Sequence, residues 1–498
     1  METNLITIKP YDSVYVKVDC ERSVAKELSD FFTFKVPNYQ YTPAYKNKVW
    51  DGQIRLYNMH TQTFYRGLID YLADFANERN YTLKNNLEIV SHVISDDSLL
   101  KYMREHLKLP FDPYEHQISA IKHALEQQRT LLVSPTGSGK SLIIYTLLRY
   151  YLDRLPPDKK ILIIVPTTSL VSQMMSDFRD YAENCDWSVD DNCHYIMSGQ
   201  EKTTDKKIVI STWQSIHREH EKYFKDFHCV FGDECHLFKA KSLTGIMTKL
   251  KNCDHRIGTT GTLDGSQTHK LVIEGLFGLV KNVTTTKKLM DKDLLSRLKI
   301  DCLVLGYSKE SAKETKRAKY IDEIKWIINN EARNKFITDL SCKLKGNTLL
   351  LFNYVKEHGV PLHEMIQNKC PDKDIHFIHG GTDVSQREDI RKLVDTVDRD
   401  SILIASYGTC STGINIKNIN NIIFASPSRS VIRVLQSIGR GLRKSDVKDR
   451  VKLFDISDDL RHLKYVNHTY RHMQDRVKIY SKEKFDFTHK NLNLEGNT

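Results

Sequence analysis

The sequence predicts an α/β protein: two tandem parallel-sheet domains preceded by a small α+β N-terminal domain. Three observations carry this. Between residues 110 and 285, short apolar, β-branched runs, "TLLVS" (130–134), "KILIIVP" (160–166), "KIVIS" (207–211) and "CVFGDE" (229–234), alternate with amphipathic helical stretches. That is the rhythm of buried parallel strands wrapped by helices. It returns after residue 345 in "TLLLFN" (348–353), "IHFIHG" (375–380), "SILIAS" (401–406), "NIIFAS" (421–426) and "VKLFDI" (451–456). Third, 498 residues exceed what one hydrophobic core holds, which leaves the first hundred for a separate unit.

The elements follow in order. Residues 1–100 form an N-terminal accessory domain, 101–285 a first parallel-sheet domain, 286–345 a charged linker with some helical insertion, 346–460 a second parallel-sheet domain and 461–498 a helical extension. Within the first, "FFTFKVPNYQYTPAYKNKVWDGQIRLYN" (31–58) is rich in aromatics, with Lys46, Lys48 and Arg55 around "VWDG". Asp51–Gly52 is a hairpin signal between "NKVW" and "QIRLYN", and a helix over 67–78 is expected to pack on it.

Composition narrows the classes. No stretch approaches the roughly 20 apolar residues of a membrane span, and "METNLITIKPYD" lacks the layout of a signal peptide, so a cytoplasmic protein is expected. Ten cysteines stand singly without a C-x-x-C pair, which argues for reduced, structural thiols and against a zinc site or disulfide framework. A formal charge of +11 favours a polyanionic partner.

Two motifs carry chemistry. "SPTGSGKS" (134–141) follows an apolar strand and opens the helical "LIIYTLLRYYL", the context of a phosphate-binding loop. Pro135, Thr136, Gly137, Ser138 and Gly139 bring backbone N–H groups to a polyphosphate, Lys140 reaches the β- and γ-phosphates, and the Ser141 hydroxyl binds Mg²⁺. Ser134 stands where the strict pattern has glycine. In "GDECH" (232–236), Asp233 is positioned to hold Mg²⁺ and Glu234 to polarise the attacking water.

In order and spacing, "SPTGSGKS", "IVPTTSLVSQ" (164–173), "STWQS" (211–215), "GDECH", "TTGTL" (259–263), "FNYVKEHG" (352–359), "ASYGTCSTGINIKN" (405–418) and "QSIGRGLRK" (436–444) resemble the motif series of superfamily 2 helicases. The resemblance implies two RecA-like domains, ATP as cofactor with Mg²⁺, and nucleic acid as partner. "FDPYEHQISAI" (111–121) looks like the adenine-reading segment, with Tyr114 stacking on the base and Gln117 bonding its edge. By the same resemblance Arg440 and Arg443 serve the γ-phosphate, Gln436 orders the water or the arginines, and Gly413 belongs to the nucleotide site. The implied DNA contacts are Thr167, Thr168, Gln173, Thr212 and Trp213 in the first half, and Asn353, His379, Gly380, Thr409 and Thr412 in the second. "TTGTL" has glycine where alanine is common and is expected to couple the two sites.

The "VWDG-Q-IRLYN" segment, together with "ILIIVPTTSL", "DECH" and "KYVNH", is similar to the bacteriophage UvsW-type recombination helicases. That family implies an ATP-dependent motor, expected as a monomer, that unwinds and branch-migrates Holliday junctions, forks, D-loops and R-loops, with duplex, single-stranded and RNA–DNA hybrid substrates. Trp50 and Arg55 would then grip DNA near a junction. The basic C-terminal segment offers Arg471, Arg476 and Lys478 as further contacts, or simply packs on the second domain. An RNA helicase, a restriction-enzyme translocase subunit and a hydrolysis-dead binding protein share parts of the pattern. The joint presence of Lys140, Asp233, Glu234, Gln436, Arg440 and Arg443 opposes the last.

Overall fold

The computed structural model describes residues 4–88, 93–197, 199–238, 240–263, 266–396, 400–413, 416, 418–426, 430–442 and 450–494, apart from the side chains of 384, 388, 396, 411–413, 431–433 and 440. The chain divides into two compact units, one of residues 1–134 and 139–283, the other of 284–498 together with the loop residues 135–138.

The first unit begins with a small mixed sheet. Strands β1 (Leu5–Pro10), β2 (Tyr15–Asp19), β5 (Tyr57–Asn58), β6 (Thr63–Tyr65) and β7 (Thr82–Asn85) lie in the order β5-β6-β2-β1-β7. A two-stranded ribbon, β3 (Thr33–Lys35) with β4 (Gln53–Arg55), stands apart from it. Helix α1 (Ile69–Glu78), entered through a 3₁₀ turn at Arg66–Leu68, buries Leu72, Phe75 and Ala76, close to the helix expected over 67–78.

The hairpin differs from expectation. Thr33–Lys35 pairs antiparallel with Gln53–Arg55, so Asp51–Gly52 leads into β4 and does not join two strands. The physical reason is local: Thr42 caps a short helix, Pro43–Lys46, with proline in its first turn, and this removes "YKNKVW" from any strand. Gly52 supplies the positive φ, 79°, that turns the chain into β4.

The small domain is docked on the first parallel-sheet domain by polar and close-packed contacts. Ser13 N–H donates to Lys251 C=O at 2.8 Å, its Oγ donates to Asp254 Oδ1 at 2.7 Å, and its carbonyl accepts from Arg129 Nη2 at 2.6 Å. Tyr71 Oη donates to Glu274 Oε2 at 2.9 Å, and a Cβ at Gly67 would come within 2.1 Å of the Glu274 carbonyl.

In that domain β8 (Arg129–Val133), β9 (Lys160–Val165), β10 (Cys193–Ile196), β11 (Ile208–Thr212), β12 (Phe227–Gly232), β13 (His255–Thr260) and β14 (Val280–Asn282) form a sheet in the order β10-β11-β9-β12-β13-β8-β14. Every recorded pairing in it is parallel. Covered on both faces, β9 buries Ile161, Leu162, Ile163 and Ile164 completely, each side chain contributing about 1.5–3 kcal/mol by burial. Helices α2 (Glu115–Gln127), α3 (Lys140–Leu152), α4 (Thr168–Tyr181) and α5 (Gln267–Phe277) supply the apolar stripes against it.

The second unit repeats the architecture. Its seven strands are β15 (Arg297–Gly306), β16 (Thr348–Phe352), β17 (Ile375–Ile378), β18 (Ile402–Ser406), β19 (Asn421–Phe424), β20 (Arg450–Asp459) and β21 (Asp486–Asn493), in the order β17-β18-β16-β19-β20-β15-β21, again with parallel pairings. Two expectations are corrected here. The stretch 286–345 is part of this domain and no linker: "RLKIDCLVLG" is a ten-residue strand buried between β20 and β21. The described part of the segment 461–498 is helix and strand, because β21 closes the sheet edge beyond β15.

Helices α6 (Tyr320–Asn329), α7 (Glu331–Lys343), α8 (Val360–Lys369), α9 (Val431–Gly441) and α10 (His468–Lys482) surround the sheet. Buried charges fix α6, α7 and α10. Arg333 donates from Nε to Asp458 Oδ1 at 2.7 Å with both side chains fully buried. Glu323 accepts from the N–H groups of His468 and Thr469 and so caps α10. Cys342 and Cys370 form a disulfide with their Cα atoms 6.0 Å apart, which corrects the expectation that all cysteines are reduced.

Candidate nucleotide and nucleic-acid sites

Because the first sheet is parallel, every strand presents its carboxyl end at one edge, and the sequence motifs collect there. The phosphate-loop motif follows β8, "PTTSL" follows β9, "TWQS" ends β11, "DECH" follows β12 and "TTG" ends β13. Strand β13 lies between β8 and β12, so the threonines stand between the phosphate loop and the acidic pair.

The loop is held by its own backbone. Gly137 and Gly139 have φ of 83° and 81°, conformations that glycine adopts without strain. Ser134 N–H donates to Thr260 C=O at 2.9 Å, Ser138 Oγ to Pro135 C=O at 2.7 Å, and Lys140 Nζ to Ser134 C=O at 3.2 Å. Helix α3 starts at Lys140, so the positive end of its dipole faces the loop. Beside it, Gln117 Oε1 accepts from Tyr114 N–H at 2.9 Å, and a Cβ on Gly139 would meet Gln117 Nε2 at 2.1 Å. Gln117 is thus wedged between Tyr114 and the glycine-rich loop. Tyr114 is half exposed, its ring stacked on His116 at 5.7 Å.

The acidic pair is tied to the threonines. Asp233 Oδ1 accepts from Thr259 Oγ1 at 2.8 Å and from Glu234 N–H at 2.9 Å. Burial, then the neighbouring Glu234 charge, raises the Asp233 pKa, while Lys140 pulls it back. Glu234 sits at φ 52°, ψ 50°, a left-handed conformation uncommon for a non-glycine residue and characteristic of functional turns. His236 is buried, with Nδ1 3.2 Å from Glu234 Oε2 and 3.1 Å from Thr260 Oγ1. Asp233 and Glu234 are therefore each linked to "TTG", Asp233 directly and Glu234 through His236. The His236 link was not foreseen from sequence.

The residues present fit a divalent cation. Asp233 is a half-buried carboxylate, and Ser141 lies in the first turn of α3. Among the described residues no cluster of three or more His, Cys, Asp or Glu could hold a metal by itself. That suits Mg²⁺, which takes one or two protein ligands and draws the rest from phosphates and water.

The proposed nucleic-acid contacts gather at the same edges. Thr167 caps α4, Thr168 begins it and Gln173 lies on it; Thr212 and Trp213 follow the adjacent strand, Thr212 aligned with Val165 of β9. Thr212 is buried with its hydroxyl 2.9 Å from Ser215 Oγ, and Trp213 is partly buried against the core. In the second unit Asn353, His379 and Thr409 follow the adjacent strands β16, β17 and β18, and Gly380 follows His379. Asn353 N–H donates to Ser426 Oγ at 3.1 Å, which is also 3.1 Å from Nδ1 of buried His358. Thr409 Oγ1 lies 2.8 Å from Ser406 Oγ, and Arg387 Nη2 donates to the carbonyls of His379 and Gly380 at 3.2 and 3.0 Å.

Gln436 is buried on α9. Arg443 lies outside the described residues, as do the side chains of Arg440 and Thr412; Gly413 ends the short helix Tyr407–Gly413. On the ribbon, Trp50 Nε1 donates to Gln53 C=O at 2.8 Å and exposed Arg55 pairs with Asp51 at 2.5 Å.

Arg476 is corrected as a DNA contact. It is 1% exposed, with Nε and Nη2 donating to Asp455 at 2.8 and 2.7 Å. Arg471 and Lys478, by contrast, line a cleft of about 420 Å³ with His468, His472, Gln474 and Asp475. No described helix is long and apolar enough to cross a membrane.

Comparison with known proteins gives the family. Residues 5–86 match the family model "DNA helicase UvsW, N-terminal", 110–265 "Type III restriction enzyme, res subunit" and 332–445 "Helicase conserved C-terminal domain". The chain is 33% identical over 507 residues to the ATP-dependent DNA helicase uvsW of Enterobacteria phage T4, covering 98% of this chain and 100% of that protein. It is 24% identical to the DNA 3'-5' translocase XPB2 of Sulfurisphaera tokodaii over 48% of its length. The crystal structure of T4 UvsW superposes with a TM-score of 0.51 at 30% identity, covering 98% of this chain and 99% of that one. The type ISP restriction-modification enzyme LlaBIII bound to DNA, at 15% identity and TM-score 0.57, shares the fold. The chain belongs to the UvsW family of superfamily 2 ATP-dependent helicases.

Proposed function

We propose that this chain is an ATP-driven DNA motor that unwinds and branch-migrates branched DNA, namely Holliday junctions, forks, D-loops and R-loops, in phage recombination, replication and repair. The observation that carries the motor is the Thr259–Asp233 hydrogen bond, which ties "TTG" to the acidic pair beside the phosphate loop. Lys140 and the N–H groups of the loop bind the β- and γ-phosphates, Tyr114 and Gln117 read adenine, and Glu234 polarises the attacking water. Asp233 and Ser141 would hold Mg²⁺, which would supply neutralising charge to the phosphates. Gln436, Arg440 and Arg443 serve the transferring phosphoryl group, as in the family, and Gly413 the nucleotide.

DNA is the partner named for the T4 relative. Thr167, Thr168, Gln173, Thr212 and Trp213, with Asn353, His379, Gly380, Thr409 and Thr412, track its backbone without reading sequence. The branched-DNA role rests on the N-terminal ribbon, where Tyr41 is 69% and Val49 81% exposed beside Lys46, Lys48, Trp50 and Arg55. Apolar tips flanked by cations suit a wedge at a junction. The motor works as a monomer in the host cytoplasm.

The test is ATPase rate with blunt duplex, single strand, RNA hairpin, RNA–DNA hybrid and a synthetic four-way junction, each paired with strand displacement, with Glu234→Gln as blank. Strongest stimulation and strand exchange on the junction are expected. Best stimulation by RNA would replace the DNA role with an RNA one.

A further inference from the structure

Helix α4, which begins at the proposed nucleic-acid residues Thr167 and Thr168, ends on Tyr181, and Tyr181 Oη lies 2.8 Å from Ser141 Oγ. The contact spans 40 positions in sequence and joins the tail of one helix to the second residue of another. Packing fixes the phenol. Its ring meets Tyr145 at 5.5 Å and Phe111 at 5.8 Å, both edge-on. Tyr145 lies one helical turn beyond Ser141 on α3 and is itself held by Phe178, Trp187 and a 2.9 Å hydrogen bond from Arg149 Nη1 to its Oη. A ring locked on that cluster brings its hydroxyl to Ser141 with little freedom left to lose.

We propose that Tyr181 is a positioning residue for the Ser141 hydroxyl in its role as metal ligand, an inference that rests on the placement of Mg²⁺ given above. A serine hydroxyl ligates a cation through an oxygen lone pair, which must point at the ion. A hydrogen bond between Ser141 Oγ and Tyr181 Oη, in either direction, leaves a lone pair for the metal and fixes the serine rotamer that aims it. The phenol itself is no ligand. It acts only through Ser141.

The experiment titrates Mg²⁺ into the full chain at a fixed concentration of a fluorescent ADP analogue and reads the metal concentration at half-maximal binding for wild type, Tyr181→Phe and Ser141→Ala. Phenylalanine keeps both ring contacts and removes the hydroxyl alone. Tyr181→Phe is expected to need about three- to tenfold more Mg²⁺, the size of one lost hydrogen bond, with unchanged affinity for the analogue in EDTA. Wild-type behaviour in Tyr181→Phe with a displaced Ser141→Ala overturns the role of Tyr181 and leaves the metal placement standing. Equal midpoints in all three overturn the placement itself. A loss of analogue affinity by the same factor with and without metal marks Tyr181 as structural and overturns the proposal too.

Discussion

Thr259 Oγ1 donates a 2.8 Å hydrogen bond to Asp233 Oδ1 from the neighbouring strand, while the carbonyl of the next threonine, Thr260, accepts from Ser134 at the start of the phosphate loop. The end of β13 thus touches both halves of the proposed hydrolytic site. Thr259→Val keeps the shape and removes the donor. Asp233, already raised in pKa by burial and by Glu234, then loses one of its stabilising hydrogen bonds. The expected result is a fall in kcat of about five- to twentyfold with a smaller change in KM, since one hydrogen bond to a charged group contributes roughly 1–2 kcal/mol. Steady-state hydrolysis with saturating nucleic acid measures it; an unchanged kcat would falsify a coupling role for Thr259.

Lys140→Ala should abolish hydrolysis and leave DNA binding largely intact, because Lys140 belongs to the phosphate loop and the proposed DNA contacts sit on other strand ends. Hydrolysis and DNA fluorescence anisotropy on one preparation check both halves. Full hydrolysis in this variant would sink the phosphate-loop assignment.

Arg440→Ala and Arg443→Ala should reduce turnover by a factor of about a thousand while changing nucleotide affinity far less, as expected for guanidinium groups that act on charge developing in the transition state. Single-turnover hydrolysis beside equilibrium binding of an ADP analogue separates the two quantities. Equal losses in both would assign these arginines to ground-state binding.

What was legible in the sequence was what local pattern dictates. Strands β8, β9, β11 and β12 are apolar runs because both faces are covered, and their motifs stand at strand ends because a parallel sheet exposes them there. Strand β21, "DFTHKNLN", was not legible: it lies at the sheet edge, is half exposed and carries no apolar alternation. The Asp51–Gly52 signal misled because the helix capped by Thr42 removes the upstream strand it needs. Tyr181 gave no local sign at all. Its role depends on tertiary packing against Ser141, as does the fate of Arg476, which pattern reading placed on a basic face and the fold pairs with Asp455.

That pairing sets a stability prediction. Asp455 accepts from Arg476 and from Tyr480 Oη, the latter at 2.9 Å, all three buried. Arg476→Ala leaves an uncompensated buried carboxylate and should destabilise the second unit by about 3–5 kcal/mol. Arg471→Ala, on the exposed face of the same helix, should cost less than about 0.5 kcal/mol. Chemical denaturation of the two variants side by side tests the contrast, and equal losses would refute it.

His358 makes the second unit sensitive to acid. It is fully buried, its Nδ1 is 3.1 Å from Ser426 Oγ, and its Nε2 has no hydrogen-bond partner among the described residues, so a second ring proton would find no acceptor among them. Burial first, then the Arg333 charge, lowers its pKa from 6.5 to about 3. Between those values the unfolded chain binds a proton that the folded chain refuses. Stability from this group is therefore complete above pH 6.5 and is lost progressively as pH falls toward 3. At pH 5 the loss is about 2 kcal/mol. His358→Gln removes the titration whatever it does to absolute stability. The pH 7 to pH 5 difference in unfolding free energy should be smaller in the variant than in wild type by about that amount. Equal differences in the two proteins would mean that His358 is protonated in the folded chain, against the geometry around its Nε2.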